Sequence, residues 1–138
     1  MYEKKTMITY IEKKNFTVLE IERLFLSVHW DSGKYPKKVV EGLQNSSVVF
    51  AAYDQDRLVG LVRGLDDGCT VGFIHYLLVD IEYQGKHIGD SLMKLIMERY
   101  SNLLQVKVMP SDRSVIPFYE RYGFKQYDHY SALELSRL

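Results

Sequence analysis

A single cysteine, Cys69, and only three prolines and nine glycines in 138 residues leave little to staple or punctuate this chain. One thiol excludes a disulfide framework and a cysteine-rich zinc site, and it fits a reducing compartment. An excess of one charge is also missing. The 18 Lys and Arg balance the 18 Asp and Glu, which argues against a protein whose main work is neutralising nucleic-acid phosphates. No stretch approaches 18 consecutive apolar residues, and the opening Met1-Tyr2-Glu3-Lys4-Lys5 lacks the apolar run of a signal peptide. The expectation is a soluble cytoplasmic protein with neither membrane nor nucleic acid as partner. What is present, 46% apolar residues, suffices at this length to bury roughly two thirds of the surface that the unfolded chain exposes. No repeat or linker composition interrupts it, so residues 1–138 read as a single domain.

The spacing of apolar residues predicts the elements. Met7 to Ile11 reads as a strand. Thr17 and Glu20 have the spacing of a capping box, and Ile21, Leu24, Phe25 and Val28 recur at i, i+3, i+4, i+7, which predicts a helix over Thr17 to Val28. After the polar, aromatic loop His29 to Tyr35, Pro36 opens a second helix to about Gln44. Val48 to Tyr53, Leu58 to Leu65 and Thr70 to Val79 read as three strands of an antiparallel meander, joined by the turns Asp54 to Arg57 and Asp66-Asp67-Gly68. The longest helix is expected from about His87 to Tyr100, then a strand from Leu103 to Met109. Ser111 or Ser114 would cap a further helix that ends at Gly123, with Pro117 in its first turn. Phe124 to Asp128 and Ala132 to Leu135 would close the chain as a pair of strands. The whole is a mixed α/β (α+β) domain.

One segment carries chemistry. Leu77-Leu78-Val79 runs out of a strand into Asp80-Ile81-Glu82-Tyr83-Gln84-Gly85-Lys86-His87-Ile88-Gly89-Asp90, which opens the long helix. Glycines at a strand-to-helix junction let backbone N–H groups converge on an anion, and the helix dipole favours negative charge there. The junction suits a phosphate or pyrophosphate, or else it is a tight turn that packs helix on strand. It is not a Walker loop, because Gly-Lys-Ser/Thr is missing, and its antiparallel context argues against the dinucleotide fingerprint.

Gln84-Gly85-Lys86-His87-Ile88-Gly89 resembles the acetyl-CoA motif Q/R-x-x-G-x-G/A of the GNAT acetyltransferase superfamily. Pro117-Phe118-Tyr119-Glu120-Arg121-Tyr122-Gly123-Phe124 is similar to its F-Y-x-x-x-G-F signature. The order of strands and helices over essentially the whole chain fits too. The resemblance implies a mixed, mostly antiparallel sheet of six to seven strands flanked by about four helices, splayed between the strand 70–79 and the strand 103–109. It implies acetyl-CoA as co-substrate, with no metal. Gln84 to Asp90 would hold its pyrophosphate and the backbone of Leu77, Leu78 and Val79 its pantetheine arm, while the Leu77 amide would face the thioester oxygen. One position departs from the motif, since His87 stands where the family has its first glycine. A helical φ there would let the side chain tilt aside and the imidazole donate to a phosphate oxygen.

The reaction needs a base for a protonated amine and an acid for the departing thiolate. His75, expected on the side of its strand that Phe73 and Leu77 share, matches a base-relay histidine of arylalkylamine relatives, whose second histidine is here Phe73. Tyr119 matches the general acid of several members. Trp30, Asp31 and Tyr35 lie where relatives build the acceptor pocket and could hold an aromatic or cationic amine. Cys69 is expected to be a half-buried thiol, and His29 and His129 lack metal-ligand spacing. The expected activity is N-acetylation of a small-molecule primary amine by direct transfer in a ternary complex, with a homodimer left open. A protein lysine or N-terminal acetyltransferase and a non-catalytic CoA-binding module remain alternatives.

Overall fold

The computed structural model describes residues 7–138. They hold five strands, β1 (Ile8–Glu12), β2 (Val48–Asp54), β3 (Arg57–Asp66), β4 (Val71–Val79) and β5 (Gln105–Val108). Four α-helices are present, α1 (Val18–Ser27), α2 (Pro36–Gln44), α3 (Ile88–Arg99) and α4 (Ile116–Glu120), with short 3-10 turns at Asp31–Lys34, Ile81–Tyr83 and Arg113–Val115. The sheet runs β1-β2-β3-β4-β5 and its first three pairings are antiparallel. Gln105 N–H donates to Thr70 O (3.0 Å), which sets the starts of β4 and β5 side by side. The described residues divide into two compact units, 7–107 and Val108–Leu138.

Local chemistry accounts for the first unit. The capping box forms as expected: Glu20 N–H donates to Thr17 Oγ1 (3.2 Å) and Thr17 N–H to Glu20 Oε2 (2.7 Å), which starts α1 at Val18. Ile21, Leu24 and Phe25 of α1 and Val39 and Leu43 of α2 are buried with Val49, Ala51, Leu58, Leu61 and Leu78 of the sheet. The opposite face belongs to α3. There Gly64 and Gly72 form a trough for Tyr100, since a Cβ on Gly64 would lie 2.1 Å from its Oη and one on Gly72 2.7 Å from its Cε2.

The strand pair β3–β4 contains a bulge. Arg63 pairs with Tyr76 but Gly64 with Ile74, so His75 is the extra residue. Ile74 shares the α3 face with Gly64, whereas Tyr76 and Leu78 pack with the α1–α2 core. Leu77, between them, therefore turns to the α3 face. This corrects the simple alternation expected from sequence, which placed Phe73, His75 and Leu77 together.

The second unit corrects the strand count, five being found among the described residues. Phe124 to Asp128 and Ala132 to Leu135 are not strands, and nearly all their residues are exposed, Leu133 at 94%. Neither stretch has a β-branched residue, and two unsupported short segments cannot hold a ladder in water. Helix α4 contains Pro117 in its first turn as expected but stops at Glu120; turn residues continue to Gly123 (φ +93°). The cap comes from Asp112 rather than from a serine: its carboxylate accepts from Ser114 N–H (2.6 Å) at the 3-10 turn that precedes α4. Cys69 is exposed, not half-buried.

Candidate active site

The junction between β4 and α3 is built on a buried carboxylate. Asp80 N–H extends the sheet to Val59 O (2.8 Å). Its side chain, 1% exposed, accepts from Arg23 (2.7 Å) and Arg57 (3.1 Å) on Oδ2 and from Glu82 N–H (2.9 Å) on Oδ1. Burial works to raise this carboxyl, but the Glu82 amide and the two guanidinium groups outweigh it and hold it below its ordinary range. Two further bonds hold the turn that follows: Tyr83 Oη donates to Asp54 Oδ2 (2.5 Å) and the Gln84 amide to Val79 O (3.1 Å).

From this anchor the chain reaches α3 through two left-handed residues, Gly85 (φ +81°) and His87 (φ +64°). A Cβ on Gly85 would meet nothing within 4 Å, so glycine is needed there for its backbone and the space beside it is open. His87 is the N-cap of α3, and Ser91 N–H closes the first turn on His87 O (3.1 Å). The N–H groups of Ile88 and Gly89, in the first turn, have no acceptor within the helix. The helical φ entertained for His87 is not found. A left-handed backbone explains why glycine suits this position, and a residue with a Cβ there costs roughly 1–2 kcal/mol. The imidazole is 87% exposed, with Nδ1 3.4 Å from Asp90 Oδ2. Lys86 adds an exposed ammonium that lies over the Tyr83 ring (5.7 Å). Open space beside Gly85, first-turn N–H donors and Lys86 together make a donor set that fits a pyrophosphate.

A second cluster sits at the bulge. Arg63, 9% exposed, donates through Nη1 to Ser46 Oγ (3.3 Å) and Gly42 O (3.5 Å) and through Nη2 to His75 Nδ1; its guanidinium lies 4.3 Å from the Tyr76 ring centre. Nε is buried with no partner. Arginine has only donors, so His75 Nδ1 accepts and the ring proton is on Nε2. Burial, and then the charge of Arg63, push the imidazole down to about 4, although the residue keeps an edge open to solvent. At neutral pH His75 thus offers an N–H, and the lone pair that a general base needs is occupied. This geometry corrects the expectation of His75 as base.

Trp30 reaches the same face by way of a Schellman motif. His29 takes φ +61° just past α1, with His29 N–H on Leu26 O (3.0 Å) and Trp30 N–H on Phe25 O (3.1 Å). That turn folds the indole back onto Phe25 (6.0 Å between ring centres) and Tyr76 (6.1 Å). Its expected companions stay apart: Asp31 pairs with Lys34 (3.0 Å) and both are exposed, as is Tyr35. Tyr119 belongs to the second unit, where it is buried with its ring edge-on to Phe118 (5.2 Å) and Phe124 (6.0 Å). Burial raises its phenol. Among the described residues no cluster of His, Cys, Asp and Glu could hold a metal ion, and no helix is long and apolar enough to cross a membrane.

Asp80, Arg23, Arg57 and Arg63 are the residues that sequence reasoning missed. The signal for Arg63 was legible as the one charge inside Leu58 to Leu65, an otherwise apolar run. Asp80 gave none beyond its place at the end of a strand.

The fold and the junction define a class of protein, a mixed α/β domain in which a bulged strand feeds a loop with two left-handed residues at a helix N-terminus. The acetyltransferase (GNAT) family profile matches residues 12–124, which run through both units. The chain belongs to that family. No curated protein matches it. Among solved structures it is similar to the GNAT family protein SP0256 of Streptococcus pneumoniae TIGR4 (28% identity, 96% of this chain and 100% of that one, TM-score 0.80). It is also similar to SA2161 of meticillin-resistant Staphylococcus aureus, described as a probable acetyltransferase (25% identity, 96% and 100%, TM-score 0.84). A Clostridium acetobutylicum protein, described as a predicted acetyltransferase with acetyl-CoA, shares the fold at 15% identity (93% and 96%, TM-score 0.65).

Proposed function

We propose that this chain transfers an acetyl group from acetyl-CoA to a primary amine of a small molecule, by direct attack in a ternary complex. The observation that carries the reading is the β4–α3 junction, in which Gly85 and His87 turn the backbone left-handed ahead of the α3 N-terminus and the space beside Gly85 is open. Acetyl-CoA, when bound, supplies an activated acyl group and a thiolate leaving group. Backbone N–H groups between Gly85 and Gly89, with Lys86, hold the pyrophosphate by charge-assisted hydrogen bonds. The backbone of Leu77, Leu78 and Val79 holds the extended arm as an added strand, and Leu77 N–H donates to the acetyl oxygen. Tyr119 is the proton donor: burial raises its phenol, so it is protonated at neutral pH. The amine leaves its proton to water, since the His75 lone pair is taken.

The test is release of the CoA thiol from acetyl-CoA across aryl-alkyl amines, polyamines, aminoglycosides, amino acids and short peptides, with an acceptor-free control. Release with one small-amine class is expected, and Tyr119→Phe should lower kcat by roughly 10²- to 10⁴-fold with little change in acetyl-CoA affinity. No release with any acceptor, while acetyl-CoA still raises Tm, would refute catalysis. Release with peptides alone would move the acceptor to proteins.

A further inference from the structure

We propose that the amine acceptor carries a carboxylate, as an amino acid does, and that His75 Nε2–H, backed by Arg63, receives that carboxylate. The inference rests on the acetyltransferase reading and names its substrate class.

Among the described residues Arg63 is a charge without a counterpart. Arg63 is a guanidinium 9% exposed, and its partners are a carbonyl (Gly42), a hydroxyl (Ser46), an imidazole lone pair (His75) and the face of Tyr76, all of them neutral. No carboxylate pairs with it among the described residues, and one donor, Nε, is buried without any partner. A buried cation ordinarily has an anion beside it, because desolvation is otherwise uncompensated. Elsewhere in this chain the rule is kept: Arg23 and Arg57, both more exposed than Arg63, share Asp80. The carbonyl end of α2, which includes Gly42 O, offers only a partial negative charge.

Of the groups around Arg63, His75 is the exposed one. Its Nδ1 faces the guanidinium, so its N–H points away from Arg63 on the other side of the ring. A cation on Nδ1 polarises that N–H and strengthens it as a donor toward an anion. The bulge makes this position accessible, because His75 has no partner residue on β3. It also sets aromatic surface around the donor: Phe73 stacks on His75 (5.8 Å between ring centres), Tyr76 lies 4.2 Å away, and Trp30 is 6.1 Å beyond Tyr76. A ligand with a carboxylate and an apolar body matches such a surface, with the anion on Nε2–H and the body along the rings. A plain alkyl or aryl-alkyl amine would bring only positive charge toward an uncompensated cation.

The test measures binding to the full chain by calorimetry, independent of turnover, with CoA present. The probes are L-phenylalanine, L-leucine, L-histidine and L-glutamate, each beside the amine that lacks its α-carboxylate. At least one amino acid is expected to bind tenfold or more tightly than its decarboxylated partner. His75→Phe, which keeps the stacking and loses the donor, should abolish that preference while leaving the acetyl-CoA-induced rise in Tm unchanged; Arg63→Lys is the second variant, since a smaller cation still folds into the site more readily than an apolar side chain would. Equal binding of each pair, binding by no amino acid, or a preference that survives in His75→Phe would overturn the inference. Acetyl-CoA binding and thiol release measured on the same samples separate its failure from that of the acetyltransferase reading, which falls if acetyl-CoA does not bind or if no acceptor releases the thiol.

Discussion

Asp80→Asn is the perturbation that most directly tests how the junction is held. The native carboxylate, 1% exposed, accepts from Arg23, Arg57 and Glu82 N–H, two of these bonds being to guanidinium groups. Asparagine can keep the bond from Glu82 but turns an NH2 toward Arg23 and Arg57, donor against donor. Removing one partner from a fully buried ion pair costs about 3–5 kcal/mol. Here the two arginine side chains are 37% and 43% exposed, so water recovers part of their solvation and the loss should be about 2–4 kcal/mol. Urea unfolding reads this as a lower midpoint at an unchanged m-value. The pH dependence has a definite sign. The folded carboxyl lies below its unfolded value, near ~3.9, so its stabilisation is complete above that pH and is lost as pH falls through the lower folded value. The gap between wild type and Asp80→Asn should therefore be constant from pH 7 to about 5 and narrow in stronger acid. A variant within about 0.5 kcal/mol of wild type at pH 7, or a gap that widens in acid, would refute this account of the anchor.

Gly64→Ala would place a Cβ 2.1 Å from Tyr100 Oη and 2.9 Å from Ile96 Cδ1, so the ring must leave its trough; a loss of about 1–3 kcal/mol in urea unfolding is expected. Because that hydroxyl is the atom the new Cβ meets, Tyr100→Phe should recover part of the loss in the double variant, whereas simple additivity would show that the two do not touch. His87→Gly removes a left-handed penalty of ~1–2 kcal/mol and adds ~0.4–1 kcal/mol of unfolded-state entropy, for a net gain between about 0 and ~1.6 kcal/mol. Acetyl-CoA affinity should stay within about tenfold by calorimetry. A destabilised His87→Gly would contradict the left-handed backbone at this N-cap.

Periodicity and caps made most of the first unit legible, because Thr17, Glu20, Pro36 and the apolar stripes of α1 and α3 act within one or two turns of chain. The bulge was not legible. Alternation reads correctly on either side of His75, and only the pairing with Arg63 and Gly64 on β3 shows that one residue is extra. The C-terminal pair failed for the complementary reason, since hydrophobic letters at Leu133 and Leu135 say nothing about whether a partner is there to bury them. Histidine is the instructive case. From sequence alone each of His29, His75 and His87 invites an acid–base, metal or phosphate role. In the fold, His29 and His87 occupy left-handed positions that end α1 and begin α3, and the lone pair of His75 is spent on Arg63. With three of its four histidines committed in this way, the proposed reaction assigns proton removal to water and proton delivery to Tyr119. What the bulge leaves open at His75 is an N–H backed by the Arg63 guanidinium, and on the inference drawn above that donor selects an acceptor by its anion instead of removing its proton.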